Sequence, residues 1–256
     1  MMPVIFTIGS YNVYSFGFFL ALSFLLSTFV IWRYAREEFK EEEYLDAYFY
    51  GFMTALVTAR VVYIIRNFAD FGFNFLQYIL VTETPGLSMM GGVIGSFLFL
   101  LYYSSKKKLK FWHILDLFSL SGSLALMFIK IGQQLGGAAF GRETEFFLKV
   151  RIIGLPKFHH PAEFYEAFFF LLIFLLLIYL YKKAGQKKWP EGLVFSVFSL
   201  LLGMQVFALE FLKVYRVYLY GLSFRQLLAL GIIALSIANI IRILNLFKKI
   251  YHKKLT

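Results

Sequence analysis

The sequence predicts an all-α polytopic membrane protein of seven transmembrane helices, with the N-terminus outside and the C-terminus in the cytoplasm. Three observations carry this. Of the 256 residues, 60% are hydrophobic and 16% charged, against about 25% charged in soluble domains, so a water-facing surface could not be covered. Apolar runs of bilayer-crossing length, about 20 residues each, recur through nearly the whole chain. Lysine and arginine alternate between rich and poor loops. Residues 1–256 are expected to form a single transmembrane domain. With no internal repeat in view, an inverted-repeat transporter has no support.

By apolar length the spans run from Tyr14 to Trp32, Ala47 to Ile65, Leu87 to Tyr103, Ile114 to Ile131, Glu163 to Leu180, Gly192 to Leu209 and Ser223 to Phe247. The first is expected to remain in the mature chain. No basic region precedes it, and no small-residue cleavage site appears before the bulky Trp32-Arg33-Tyr34. The loops after the first, third and fifth spans and the C-terminal tail together hold 15 Lys and Arg, while the N-terminal segment and the other loops hold 7. The positive-inside rule turns that imbalance into the stated orientation. The clusters Lys106 to Lys110, Lys182 to Lys188 and Lys248 to Lys254 read as anchors beside anionic head groups of membrane lipids. They sit on loops flanking spans, so the net charge of +11 does not point to nucleic acid as a partner. The acidic run Glu37 to Glu43 reads as a solvated loop.

Two outer segments, 66–86 and 132–161, are long without obviously spanning, and such loops are usually functional or interfacial. Zero cysteines exclude disulfides, thiolate metal sites and a cysteine nucleophile from this chain.

Chemistry is sought among ionisable residues at membrane depth, where an isolated charge is costly and needs a partner. Arg242 and Arg225 lie near span ends and can snorkel. Arg60 lies about one turn inside the second span, where it either serves a polar cavity or forms an ion pair with Asp116 or Glu166. Lys130 ends the fourth span and leads into Gly132-Gln133-Gln134-Leu135-Gly136-Gly137, with Arg142 following. Two cations, two amides and glycines that allow close approach suit a phosphate ester; the plain alternative is a glycine-rich turn with flanking anchors. In His159-His160-Pro161-Ala162-Glu163-Phe164-Tyr165-Glu166 the proline marks a helix start, and the three-residue spacing puts Glu163 and Glu166 on one face. His160 or either carboxylate is a candidate general base; interfacial capping is the alternative. Adjacent histidines on a helix would point apart, so no metal and no cofactor are expected.

Taken in order, several segments resemble the prolipoprotein diacylglyceryl transferase family. They are Pro3-Val4-Ile5-Phe6-Thr7-Ile8-Gly9, Ala59-Arg60-Val61-Val62-Tyr63, Gly86-Leu87-Ser88-Met89-Met90-Gly91-Gly92, His160-Pro161-Ala162-Glu163-Phe164-Tyr165-Glu166, and Glu210-Phe211-Leu212-Lys213 with Leu222-Ser223-Phe224-Arg225-Gln226. The resemblance implies an enzyme of lipoprotein biosynthesis in the bacterial cytoplasmic (inner) membrane. Such an enzyme moves a diacylglyceryl group from phosphatidylglycerol to the lipobox cysteine of a preprolipoprotein bound through its signal peptide. The nucleophile then belongs to the substrate. His160, Glu163 and Glu166 are carried over as catalytic residues, and Lys130, Gln133, Arg60, Arg142, Gly91 and Gly92 as substrate-binding ones. The sequence also departs from the family. Met90 replaces the motif histidine, Lys130 the signature arginine, Gln133 an asparagine, Ala138 a glutamate, Phe16 a tyrosine, and Val206 beside Gln205 an arginine. Lysine keeps the charge of arginine but not its bidentate geometry. The alternatives are a non-catalytic homologue binding phospholipid or signal peptide, and another lipid head-group transferase.

Overall fold

Apolar runs become helices because a backbone in lipid must satisfy its polar groups internally. The computed structural model describes residues 2–9, 11–36, 40–73, 75–79, 86–137, 139–152, 154–187, 189–214 and 217–253. Glu37, Glu38, Ala138, Lys188 and Lys254 lie outside the described residues. Six helices among those described are long and apolar enough to cross a membrane: Ser15–Ala35, Glu41–Arg66, Phe111–Gly136, Ala162–Lys187, Leu193–Glu210 and, within the last helix, Phe224–Phe247. The remaining expected span is helical over Met89–Lys106 but is not one of the six, and its last turns carry Tyr102, Tyr103, Ser104, Ser105 and Lys106.

The chain gathers into two compact units, one of Met1–Val30 with Leu115–Thr256 and one of Ile31–Ile114. The first unit opens with an antiparallel hairpin of β1 (Val4–Ile8) and β2 (Tyr11–Tyr14). It leads into α1 (Ser15–Ala35), and the Ser15 backbone N–H donates to the Pro3 carbonyl at 2.8 Å. In this unit α6 (Phe111–Gly136) packs closely on α1 because Gly132 has no side chain. A Cβ there would come within 2.8 Å of the Phe19 Cβ, and Phe128 stacks on Phe19. Helices α7 (Ala162–Lys187), α8 (Leu193–Glu210) and α9 (Phe224–Lys253) follow. Asp116 on α6 caps the start of α8, accepting from the Gly192 and Phe195 backbone N–H groups at 2.7 Å each. Asn239 on α9 donates to the Ser196 hydroxyl on α8 at 2.7 Å.

The second unit holds α2 (Glu41–Arg66), the short α3 (Phe68–Phe71) and α4 (Phe75–Ile79), and α5 (Met89–Lys106). The reading of Glu41 to Glu43 as solvated loop is corrected here. These residues form the first turn of α2, where negative charge is favoured by the unpaired N–H groups of a helix start.

Candidate functional site: a buried charge quartet beside a cavity

In the first unit the long segment 132–161 is pinned by short backbone pairings. Gly141 N–H donates to the His160 carbonyl at 3.0 Å, Arg142 N–H to the Leu212 carbonyl at 2.8 Å, and His160 N–H back to the Arg142 carbonyl at 3.0 Å. Strands β3 (Val150–Arg151) and β4 (Phe158–His159) add a further antiparallel pair. Gly141 must be glycine at this crossing, since a Cβ would lie 2.7 Å from both the His160 Cβ and the Leu212 carbonyl oxygen. The pairings bring three distant stretches together: the end of α6, the start of α7 and the segment after α8.

Where they meet, two lysines and two glutamates close a ring. Lys130 Nζ lies 2.6 Å from Glu163 Oε2 and 2.7 Å from Glu166 Oε2. Lys213 Nζ lies 2.6 Å from Glu163 Oε1 and 2.5 Å from Glu166 Oε1. Each carboxylate therefore bridges both ammoniums, one oxygen apiece. The shared helix face expected of Glu163 and Glu166 explains how both reach the same two partners. The quartet is formally neutral, and its side chains are largely withdrawn from solvent, Glu163 showing 2% of its side-chain surface and Lys130 19%. Burial lowers the proton affinity of Lys213, but Glu166 and Glu163 outweigh it and hold the ammonium above the usual lysine range.

Amides and backbone groups fix the ring. Glu163 N–H donates to Gln134 Oε1 at 3.1 Å, and Gln205 Nε2 donates to the Glu166 carbonyl at 3.1 Å. Arg142 Nε donates to the Lys213 carbonyl at 2.9 Å, so Arg142 orients a cation of the ring through its backbone. His160 precedes α7, its Nδ1 3.4 Å from the Tyr165 hydroxyl. The neighbouring His159 is buried, with Nδ1 2.9 Å from the Gly141 carbonyl oxygen.

A cavity of about 630 Å³ opens onto the ring, lined by Lys130, Gln133, Glu163 and Lys213 from it and its approach, and by Glu210, Tyr218, Ser223 and Arg225 opposite in sequence. Ser223 Oγ donates to Glu210 Oε1 at 3.1 Å, and Arg225 Nη1 stands 3.9 Å from Glu210 Oε2. Such a chamber suits a head group with oxygens to share between ammoniums and amides, approached from apolar surroundings.

Three predicted site residues belong to the second unit. Arg60 is buried, and its Nε, Nη1 and Nη2 donate to the carbonyls of Tyr78, Gly86 and Gln77 at 3.0, 3.1 and 2.7 Å. Its guanidinium also lies over the Phe71 and Tyr63 rings. These contacts tie the segment 66–86 to α2, where an ion pair with Asp116 or Glu166 is the plain expectation. Asp116 is instead the cap of α8, and Glu166 belongs to the ring. Gly91 and Gly92 lie where α5 meets α2, a Cβ on Gly91 falling 2.7 Å from the Thr58 carbonyl oxygen and one on Gly92 3.3 Å from that of Ala55. Both are used for close helix packing.

Lys213 was not singled out as a site residue, although it stands in the Glu210-Phe211-Leu212-Lys213 segment. It follows a span rather than interrupting one, so no desolvation argument marked it.

Six helices long and apolar enough to cross a membrane, with a charge-lined chamber in the first unit, define a multi-pass membrane protein. Residues 3–242 match the family described as prolipoprotein diacylglyceryl transferase, and the chain belongs to that family. A phosphatidylglycerol–prolipoprotein diacylglyceryl transferase of Finegoldia magna is 29% identical over 234 residues, covering 91% of this chain and 92% of the relative. Proteins of the same description from Campylobacter hominis and Clostridium botulinum are each 26% identical, covering 95% and 97% of this chain and 91% and 98% of the relatives.

Proposed function

We propose that this protein transfers a diacylglyceryl group from phosphatidylglycerol to the lipobox cysteine thiol of exported prolipoproteins in the bacterial cytoplasmic membrane. The observation that carries the reading is the pair of ammoniums, Lys130 and Lys213, lining one chamber with Gln133. In the reaction the substrate thiolate attacks the glyceryl carbon, a sulfur–carbon bond forms, and the carbon–oxygen bond to phosphorus breaks. Glycerol phosphate leaves with the electron pair. Lys130, Lys213 and Gln133 offset the charge on the departing phosphate. His160 takes the thiol proton; a thiol of pKa about 8.5 needs such a base near neutral pH. Glu163 and Glu166 hold the ammoniums in place, Arg142 orients Lys213, and Arg60 with Gly91 and Gly92 organises the second unit. The two units act as one transmembrane domain, with α5 as the seventh span.

A second reading, a non-catalytic homologue that binds phospholipid or signal peptide, is favoured by one observation: each ammonium already contacts two carboxylates. Purified protein in phosphatidylglycerol liposomes with a lipobox peptide separates the two. Labelled diacylglyceryl should appear on the peptide, and His160→Ala should abolish it. Peptide binding without transfer in any lipid mixture would establish the second reading. Reporter fusions at Lys107 and at the C-terminus test the orientation, both being expected to read cytoplasmic.

A further inference from the structure

The charges of the ring balance. Lys130 and Lys213 face Glu163 and Glu166, each ammonium within 2.7 Å of both carboxylates. An anionic phosphodiester arriving at the ring meets no net charge in it, although two ammoniums stand ready. The group that fills their hydrogen-bonding positions on the chamber side is Glu163, whose two oxygens each accept from a different lysine at 2.6 Å and which itself lines the cavity. The two non-bridging oxygens of a phosphodiester present the same donor-bridging pattern with the same single charge.

Resting on the functional reading above, we infer that Glu163 is a resident counter-ion that holds the phosphate position between Lys130 and Lys213. An anionic head group binds by exchange with it, so the net charge of the head group contributes little to which lipid the site takes. Exchange leaves the formal charge around the two lysines unchanged only if the Glu163 carboxylate withdraws from them. Glu166, which unlike Glu163 is not among the residues lining the chamber, stays to anchor the ammoniums. Removing the charge of Glu163 leaves the ring at +1, and the chamber then attracts anions outright.

The test compares the binding of phosphatidylglycerol and phosphatidylcholine to the purified full-length protein by native mass spectrometry, for wild type and for Glu163→Gln. Wild type should favour the anionic lipid by less than about threefold, and Glu163→Gln by tenfold or more. A wild-type preference of tenfold or more, or a Glu163→Gln preference equal to that of wild type, would overturn the inference. Should Glu163→Gln not fold, Glu163→Ala takes its place. It also removes the charge, and its preference for the anionic lipid should likewise rise above wild type; no rise would count against the inference. Diacylglyceryl transfer is followed on the same preparations. Charge selection as expected without transfer would remove the functional reading and leave this one, while transfer by a strongly charge-selective wild type would do the reverse.

Discussion

Lys130 and Arg60 are both cations carried on apolar helices, and the protein satisfies them by different means. Lys130 is held by full charges, two carboxylates that it shares with Lys213. Among the described residues, Arg60 meets three backbone carbonyls and two aromatic faces. A planar fork with fixed donor directions fits separate carbonyls on a folded-back segment, whereas a compact ammonium with three rotatable donors fits between carboxylates. The difference also bears on function. Partners in an ionic ring can be exchanged for another anion of like geometry, while a carbonyl cage accepts only the group it was shaped around.

The largest effect should come from unbalancing the ring. Lys213→Met leaves two buried carboxylates on one ammonium and should destabilise by about 3 to 5 kcal/mol. Adding Glu163→Gln to it, which restores neutrality, should recover much of the loss. Unfolding in detergent micelles measures both, and a double variant no more stable than the single one would show that charge balance is not what the ring supplies. Arg60→Lys keeps the charge but loses the fork, and should cost about 2 kcal/mol, the scale of a hydrogen bond to a charged group. Hydrogen exchange should then quicken over 75–79 while the start of α7 is unaffected; unchanged exchange there would break the contrast between cage and ring. The smallest effect belongs to Asp116, a carboxylate that accepts from two backbone N–H groups. Asp116→Ala should lose about 1 to 2 kcal/mol, as for other helix caps, visible as faster exchange at Gly192 and Phe195.

Much of this was legible in the chain. Helices appear at every expected span, and six of them are long and apolar enough to cross a membrane. The pairing of Glu163 and Glu166 followed from their spacing, and the start of α7 from Pro161. The hairpin of β1 and β2 was not visible as such, since Pro3 to Gly9 reads only as a short apolar run. Gly91 and Gly92 lie close against α2, and in sequence a glycine that admits a ligand and a glycine that admits a neighbouring helix look alike. Asp116 was offered to Arg60 because both are charges at membrane depth, and only the fold shows it serving the N–H groups of α8.

The sequence by itself determined that this is a helical membrane protein, which segments are helical, and which residues are too polar to be left in lipid without partners. Hydrophobicity and local spacing are properties of neighbouring residues, and those suffice for such conclusions. Only the tertiary structure decided which partner each charge has. Lys130 and Lys213 are separated by two helices along the chain, and no local rule relates them. The crossing at Gly141, where the segment after α6 meets both His160 and Leu212, sets the two ammoniums on the same pair of carboxylates.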